Sequence, residues 1–253
     1  LLGIVRRGRD LPMLLVLDYD GTLVPFAPHP DDAVPDAPLL ALLRSLASRA
    51  HTRIFVVSGR TRPSLERWLG DLPIGLQAEH GLWSRGPGDP QWQRTMTFDN
   101  AWKERVRPVL EYFAEATAGS FIEDKTQSIA WHYRSATGDY TDGLDFGEYQ
   151  ARELRCVLDE LLRGEPLDVL NGNKVIDVRP LGLHKGVGVP LLTAGACADE
   201  MIVAMGDDST DEDLFRALPD GSVTIKVGGG QTRALYRLQS YEDARQILAA
   251  LIE

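Results

Sequence analysis

The chain has 253 residues, 43% of them hydrophobic and 25% charged, with a formal net charge of -10 and a pI near 5.0. This is an ordinary soluble globular composition, long enough for a sizeable core and a cleft in one large domain or two small ones. The acidic balance argues against a nucleic-acid partner, and no apolar run nears the roughly 18–20 residues of a membrane span.

In chain order, "MLLVL" (13–17) predicts a buried strand that runs into Asp18, Asp20, Gly21 and Thr22. "DAPLLALLRSLASR" follows, with Leu39, Leu42, Leu43 and Leu46 at helical spacing. "TRIFVVSGR" (52–60) predicts a second strand ending in Ser58, Gly59 and Arg60, and "RPSLERWLG" a helix closed by Gly70. "IGLQAEHG" (74–81) predicts a third strand. Between Gly81 and Lys185 this rhythm breaks for roughly a hundred residues, far more than a helical crossover needs. "RGPGDPQ" (85–91) marks a loop near the start of that stretch. Inside it we read a helix at about 99–117, an alternating hairpin at 120–134, a helix at about 145–163, and strands at 166–170 and 174–180. The alternating rhythm then resumes. "LHKGVGVPLLTAG" predicts a helix, "MIVAMGDD" (201–208) a strand, "STDEDLFRAL" a helix and "SVTIKVG" (222–228) a strand. The last helix opens at Ser240 with Asp243 three residues on, close to a capping box, and its apolar stripe is Ala244, Ile247, Leu248, Leu251 and Ile252.

Strands rich in Val, Ile and Leu, separated by helices, imply a parallel α/β sheet with helices on both faces, a Rossmann-like core. The expected division is a core of residues 1–83 and 180–253 with a smaller inserted α+β domain at 84–179. In the inserted hairpin, alternation puts Ile129, Trp131 and Tyr133 on one face and Ser128, Ala130, His132 and Arg134 on the other. Trp83 and Trp102 are expected to pack rather than to form a ligand platform. We read no basic-then-apolar leader, and Cys156 and Cys197 make neither a disulfide framework nor a zinc pattern; a reducing, cytoplasmic setting is expected.

Parallel α/β sheets bind ligands at the carboxyl ends of their strands. Here those ends collect acids: Asp18 and Asp20 after the first strand, Asp207 and Asp208 after the one near 205, and Asp211 in the helix beyond. Two carboxylates about 4 Å apart repel by about 4 kcal/mol at an effective dielectric near 20. A divalent cation would compensate, and all-oxygen donors favour magnesium over zinc. A calcium loop fits poorly, because counting from Asp18 puts Thr22 at position five and His29 at position twelve. Ser58, backbone amides near Gly21, and Lys185 are suited to hold a phosphate. Each piece alone is weak, since a D-x-D-G is usually a turn or cap and acids are common at helix starts. Their joint occurrence at strand ends carries the reading.

"DYDGT", the serine of "SGR", the lysine of "HKG" and the acidic "GDDSTDE", in this order, resemble the four motifs of the haloacid-dehalogenase-type phosphatases. Within them, "VVSGR", "AEHG", "EDKTQSIAWHYR", "VIDVRP", "GDDSTDEDLF" and "VGGGQTRA" resemble the trehalose-6-phosphate phosphatase family over nearly the whole chain. The resemblance implies that Asp18 is the nucleophile and Asp20 the proton-transfer group, with Ser58 and Lys185 on the phosphate. It implies Mg2+ held by the Asp18 carboxylate, the Asp20 carbonyl and Asp207, with Asp208 and Asp211 in support. It makes the insertion a cap, with Glu123, Lys125, His132, Arg134 and Asp177 facing a sugar, and Arg60, Glu79 and His80 lining the core side with Gly21, Thr22 and Gly59. Asp177 stands where the family commonly has glutamate, one methylene longer, and His184 precedes the lysine where another polar residue is expected. The implied partner is a small sugar phosphate, with fusion to or association with a trehalose-phosphate synthase. Two alternatives stay open: a phosphatase of a glucosyl- or mannosyl-phosphoglycerate, and a catalytically silent domain that binds a sugar phosphate.

Overall fold

The computed structural model describes Gly3 and residues 11–138, 145–197 and 199–252. The chain forms two compact units, residues 1–95 with 184–253, and residues 96–183. In chain order the first unit supplies β1 (Met13–Asp18), α1 (Ala37–Ala47), β2 (Thr52–Val57), α2 (Arg62–Leu69), β3 (Gly75–Ala78), β4 (Trp83–Arg85) and β5 (Gln93–Arg94). The second supplies α3 (Trp102–Ala116), β6 (Phe121–Asp124), β7 (Ile129–His132), α4 (Phe146–Leu161), β8 (Leu167–Gly172) and β9 (Val175–Pro180). The chain returns to the first unit with α5 (Val189–Thr193), β10 (Met201–Gly206), α6 (Thr210–Ala217), β11 (Val223–Val227), β12 (Tyr236–Leu238) and α7 (Tyr241–Ala249).

Among the described residues the first unit holds one sheet of order β12-β11-β10-β1-β2-β3-β4-β5. Strand β1 is central, pairs in parallel with β2 and β10, and is buried along its whole length. Its alternation feeds two cores. Met13, Leu15 and Leu17 pack with Leu39, Leu43 and Leu46 of α1, Leu65 and Leu69 of α2, and Leu248 of α7. Leu14 and Val16 pack with Val189 and Leu192 of α5 and Leu214 and Phe215 of α6. Each such side chain is worth about 1.5–3 kcal/mol when fully buried, so the sheet is covered on both faces as expected. The terminal helix has the expected capping box between Ser240 and Asp243. Its stripe ends earlier than expected: Ile252 lies beyond the helix and is 41% exposed.

Four expectations need correction. The sheet is not wholly parallel, since β4 runs antiparallel to β3 and β5 antiparallel to β4. The cause lies in the third strand, which stops at Ala78 instead of continuing to Gly81. Glu79, His80 and Gly81 have φ of 50°, 57° and 89°, so the chain reverses at once, and a link this short permits only antiparallel pairing. For the same reason residues 84–95 sit in the first unit, with "RGPGDPQ" as the β4–β5 connection; the units divide at 95/96 and 183/184, not at 83/84 and 179/180. Finally, "LHKGVGVPLLTAG" is not one helix. A single 3-10 turn at Lys185–Gly188 precedes the short α5, because Gly186, Gly188 and Pro190 all disfavour a continuous α-helix.

The second unit is a four-stranded antiparallel sheet, β6-β7-β9-β8, with α3 and α4 packed on one face. Ile129, Trp131 and Tyr133 face those helices together with Ile176 and Val178, as the alternation requires. On the other face Ser128 and Ala130 are both buried. Trp83 and Trp102 pack against their units' cores, and both cysteines are free and exposed. No helix among the described residues is long and apolar enough to cross a membrane.

Candidate active site

The strand order reverses at β1, with β2 on one side and β10 on the other, and a crevice at such a switch point is where open α/β sheets bind ligands. Asp18 is the last residue of β1, Ser58 follows β2, and Asp207 follows β10. Lys185 arrives on the 3-10 turn. Its Nζ donates to Asp18 Oδ1 at 2.6 Å and to Asp211 Oδ1 at 2.7 Å, and all three groups are buried. Carboxylate oxygens of Asp18, Asp207 and Asp211 lie within 4.8 Å of one another. Asp211 also accepts from the Asp208 backbone N–H at 3.0 Å, which pins the turn after β10.

Three carboxylates face one ammonium, so the cluster is two positive charges short of neutrality. Burial and this imbalance set the direction in which the pKa values of these groups move. Burial, then repulsion from Asp211, pushes Asp207 up to about 7, against the pull of Lys185. Burial also raises Asp18 well above the usual carboxylate range, opposed by Lys185 and assisted by Asp211 and Asp207. Burial would lower the Lys185 pKa, but its two carboxylate partners outweigh burial and raise it. A cluster of hard oxygen donors lacking two positive charges suits a magnesium ion, and no histidine or cysteine joins it among the described residues. Asp208 is not in the grouping. Its Oδ1 is turned to the next residue, accepting from Ser209 N at 2.5 Å and Ser209 Oγ at 3.1 Å.

The surrounding residues suit an anion. Gly21 has φ of 76°, and a Cβ there would strike the Asp207 carboxylate and the Phe26 ring, so only glycine fits. Thr22 is fully buried and its Oγ1 has no hydrogen-bond partner among the described residues. Ser58 is buried, and its Oγ accepts from the Arg60 backbone N–H at 3.2 Å, which leaves the hydroxyl hydrogen to donate. The Glu79–His80 turn is fastened to this segment, since Glu79 N donates to Arg60 O at 2.9 Å and His80 N to Ser58 O at 3.0 Å. A Cβ on Gly59 would come within 2.6 Å of the His80 ring, so these two predicted residues are neighbours. The Asp20 carboxylate is engaged by Arg60 through two nitrogens, at 2.8 and 2.6 Å.

One contributor escaped the sequence reading. Lys226 of β11 is buried and its Nζ donates to the Asp207 carbonyl; a lone lysine inside an apolar strand was the available signal. Glu212 accepts from Thr232 Oγ1 at 2.6 Å and Arg233 N at 3.0 Å, which ties the late glycine loop to α6.

In the second unit, the face opposite α3 and α4 gathers the expected sugar-facing residues. Glu123, Ala130 and Asp177 lie side by side across β6, β7 and β9, and His132 is two residues along β7. Glu123 Oε2 bonds His132 Nε2 at 2.8 Å and lies 3.5 Å from Lys125 Nζ. Burial would raise the Glu123 carboxyl, but Lys125 and His132 outweigh it and bring it to about 2. Burial raises Asp177, partly offset by Lys125 and Arg179. Arg134 instead reaches the turn after β8, donating to Asn173 O at 2.7 Å. These residues form a dense field of donors and acceptors suited to hydroxyl groups.

A profile of the trehalose-phosphatase family matches residues 16–240. The chain is 44% identical over 238 residues to a bifunctional trehalose-6-phosphate synthase/phosphatase of Thermoproteus tenax, covering 94% of this chain and 32% of that protein. It thus spans about a third of the length of that relative. The C-terminal domain of the trehalose-6-phosphate phosphatase of C. albicans superposes with a TM-score of 0.90 at 30% identity, covering 99% of this chain and 96% of that one. A haloacid dehalogenase-like hydrolase from Bacteroides thetaiotaomicron, 13% identical, has the same fold with a TM-score of 0.64, covering 93% and 98%.

Proposed function

Because the chain belongs to the trehalose-phosphatase family and has the haloacid-dehalogenase-like fold, we propose that it hydrolyses trehalose 6-phosphate to trehalose and phosphate through an aspartyl-phosphate. The observation that carries the mechanism is the Asp18 carboxylate at the end of β1, held by Lys185 and grouped with Asp207 and Asp211. An Asp18 oxygen attacks phosphorus as the bond to the sugar oxygen breaks, and Asp20 gives that oxygen a proton. Water then attacks the aspartyl-phosphate while Asp20 takes its proton, which releases phosphate and restores Asp18. Ser58, Thr22 and Lys185 hold phosphate oxygens, and Lys185 opposes the protonation of Asp18 that burial favours and aims its carboxylate. Asp18, the Asp20 carbonyl and Asp207 would hold magnesium, with Asp211 beside them; Asp208, whose Oδ1 is turned to Ser209, is left out of this set. When bound, the ion supplies positive charge against the phosphate oxygens. Glu123, Lys125, His132, Arg134 and Asp177 are assigned to the sugar hydroxyls. The family also includes synthase fusions, so we assign this chain the same setting, joined to or beside a trehalose-phosphate synthase, in the cytoplasm. Phosphate release from a panel of sugar phosphates tests the substrate: preference for a glucosyl- or mannosyl-phosphoglycerate would overturn it, and no release from any would mark a silent domain.

The charge imbalance yields a stability test. Asp207 is raised from the ordinary carboxylate range to about 7, and Asp18 is raised too, so the folded state holds protons that the unfolded state has lost. Their contribution is complete below about pH 4 and is lost as pH climbs through 7. Above pH 5, carboxylates with lowered pKa values, such as Glu123, are ionised in both states and no longer contribute a slope. In chelator, the melting temperature should therefore fall between pH 5 and 7. Saturating magnesium should flatten that fall and raise the melting temperature, because it binds the ionised folded form. A melting temperature indifferent to both pH and magnesium would remove the metal assignment.

The sugar assignment has its own test. Glu123→Ala or Lys125→Ala should cost roughly 10- to 200-fold in kcat/KM for trehalose 6-phosphate, as losing a buried polar contact to substrate does. Hydrolysis of p-nitrophenyl phosphate, which carries no sugar, should hardly change. Equal losses on both substrates, or none on the sugar phosphate, would refute the assignment.

A further inference from the structure

The pair between Arg60 and Asp20 does more than line a site. Arg60 Nε donates to Asp20 Oδ2 and Nη2 to Oδ1, a fork-on-fork geometry that fixes both the position and the plane of the carboxylate. The guanidinium is itself immobilised. Its Cζ lies 4.7 Å from the Trp68 ring centroid and 5.6 Å from that of Tyr19, and these two rings stack 5.7 Å apart. Nη1 donates to the Pro30 carbonyl, and the Tyr19 hydroxyl donates to Ala33 O at 2.8 Å, so the shelf is anchored at both ends. The Arg60 side chain is 10% exposed and that of Asp20 is 27% exposed. Without the fork, a partly exposed aspartate on a turn would sample several rotamers. Three of the five N–H donors of Arg60 are thus committed inside the protein, which leaves two for other partners.

We propose that Arg60, seated on Trp68 and Tyr19, is a positioning residue that holds the Asp20 carboxylate in the orientation from which it exchanges a proton with the oxygen leaving phosphorus. The fork occupies one lone pair on each Asp20 oxygen and leaves the other to carry the proton. As the phosphorus–oxygen bond breaks, the leaving oxygen keeps the electron pair and takes that proton, and Asp20 remains as carboxylate paired with Arg60. Orientation of this kind is what a catalytic acid needs. The inference rests on the proposed role of Asp20 as the proton-transfer group.

The test uses kcat/KM, which reports the steps through phosphoryl transfer to the enzyme, for esters whose leaving groups differ in their need for a proton. Asp20→Asn should lose roughly 10²-fold or more on trehalose 6-phosphate and under about threefold on p-nitrophenyl phosphate, whose leaving group departs unprotonated. Arg60→Gln should show the same signature, at least about tenfold against under about threefold. Arg60→Lys should show it as well, because it keeps the charge but not the fork; it carries the test if Arg60→Gln does not fold. If Asp20→Asn shows the signature and the Arg60 variants lose equally on both esters, or on neither, Arg60 is not positioning Asp20. If Asp20→Asn lacks the signature, the proton-transfer reading falls and this inference with it.

Discussion

Asp18→Asn should abolish steady-state phosphate release, by on the order of 10⁴-fold or more, while the protein stays folded and still binds its substrate. The substitution keeps shape and removes charge. An amide is a poor nucleophile towards phosphorus, and nothing nearby replaces the carboxylate: Asp211 is tied to Lys185 and to the Asp208 amide, and Asp20 to Arg60. Because Asp18 is one of three crowded acids, its loss should leave the melting temperature in chelator unchanged or higher, since Lys185 keeps Asp211 as partner. Together the two outcomes separate a lost chemical group from a lost fold. Release within tenfold of the unaltered protein, with contaminating phosphatase and deamidation excluded, would refute the covalent route.

Lys185→Met should have the largest effect on stability. Lys185 is 3% exposed, and its ammonium is the positive charge bonded to Asp18 and Asp211. Removing one partner of a buried ion pair costs about 3–5 kcal/mol, because the remaining charge is left buried. For a chain of this size that is a fall of roughly 10 °C in melting temperature. The loss should shrink as the pH is lowered towards 5, where Asp18 and Asp207 can take up protons. It should also shrink in the Lys185→Met, Asp18→Asn double variant, which removes one of the stranded carboxylates; the two effects should not add. Activity should vanish in both. A single variant as stable as the original, or strictly additive effects, would show that Lys185 does not neutralise this cluster.

Most of what positions the site could be read from local patterns. The buried run 13–17, the alternation of 129, 131 and 133, and the capping box at Ser240 each depend on residues a few positions apart. Runs of β-branched and leucine residues separated by amphipathic helices led to the covered sheet, and the sheet's strand ends marked Asp18, Ser58 and Asp207 as neighbours. One polar residue of the second unit was legible as well: period-two alternation had already put His132 opposite the apolar face, and the sheet register sets Glu123 and Asp177 beside it.

What one chain of letters determined, then, was the kind of element at each place and the type of chemistry at its ends, because helix and strand periodicities and caps are local properties. Only the tertiary structure decided the pairings. Lys185 meets Asp18 across 167 residues of sequence, and Arg60 meets Asp20 across 40, contacts that depend on strand order and on no short-range pattern. Three consecutive residues with positive φ, Glu79 to Gly81, turned a predicted strand end into a hairpin and moved a domain boundary by twelve residues, from 84 to 96. Asp208 has the same side chain as Asp207, yet its carboxylate turns to the next residue's amide and hydroxyl while that of Asp207 joins the cluster. Residue type limits what a side chain can do, and the direction the backbone gives it decides which of those things it does.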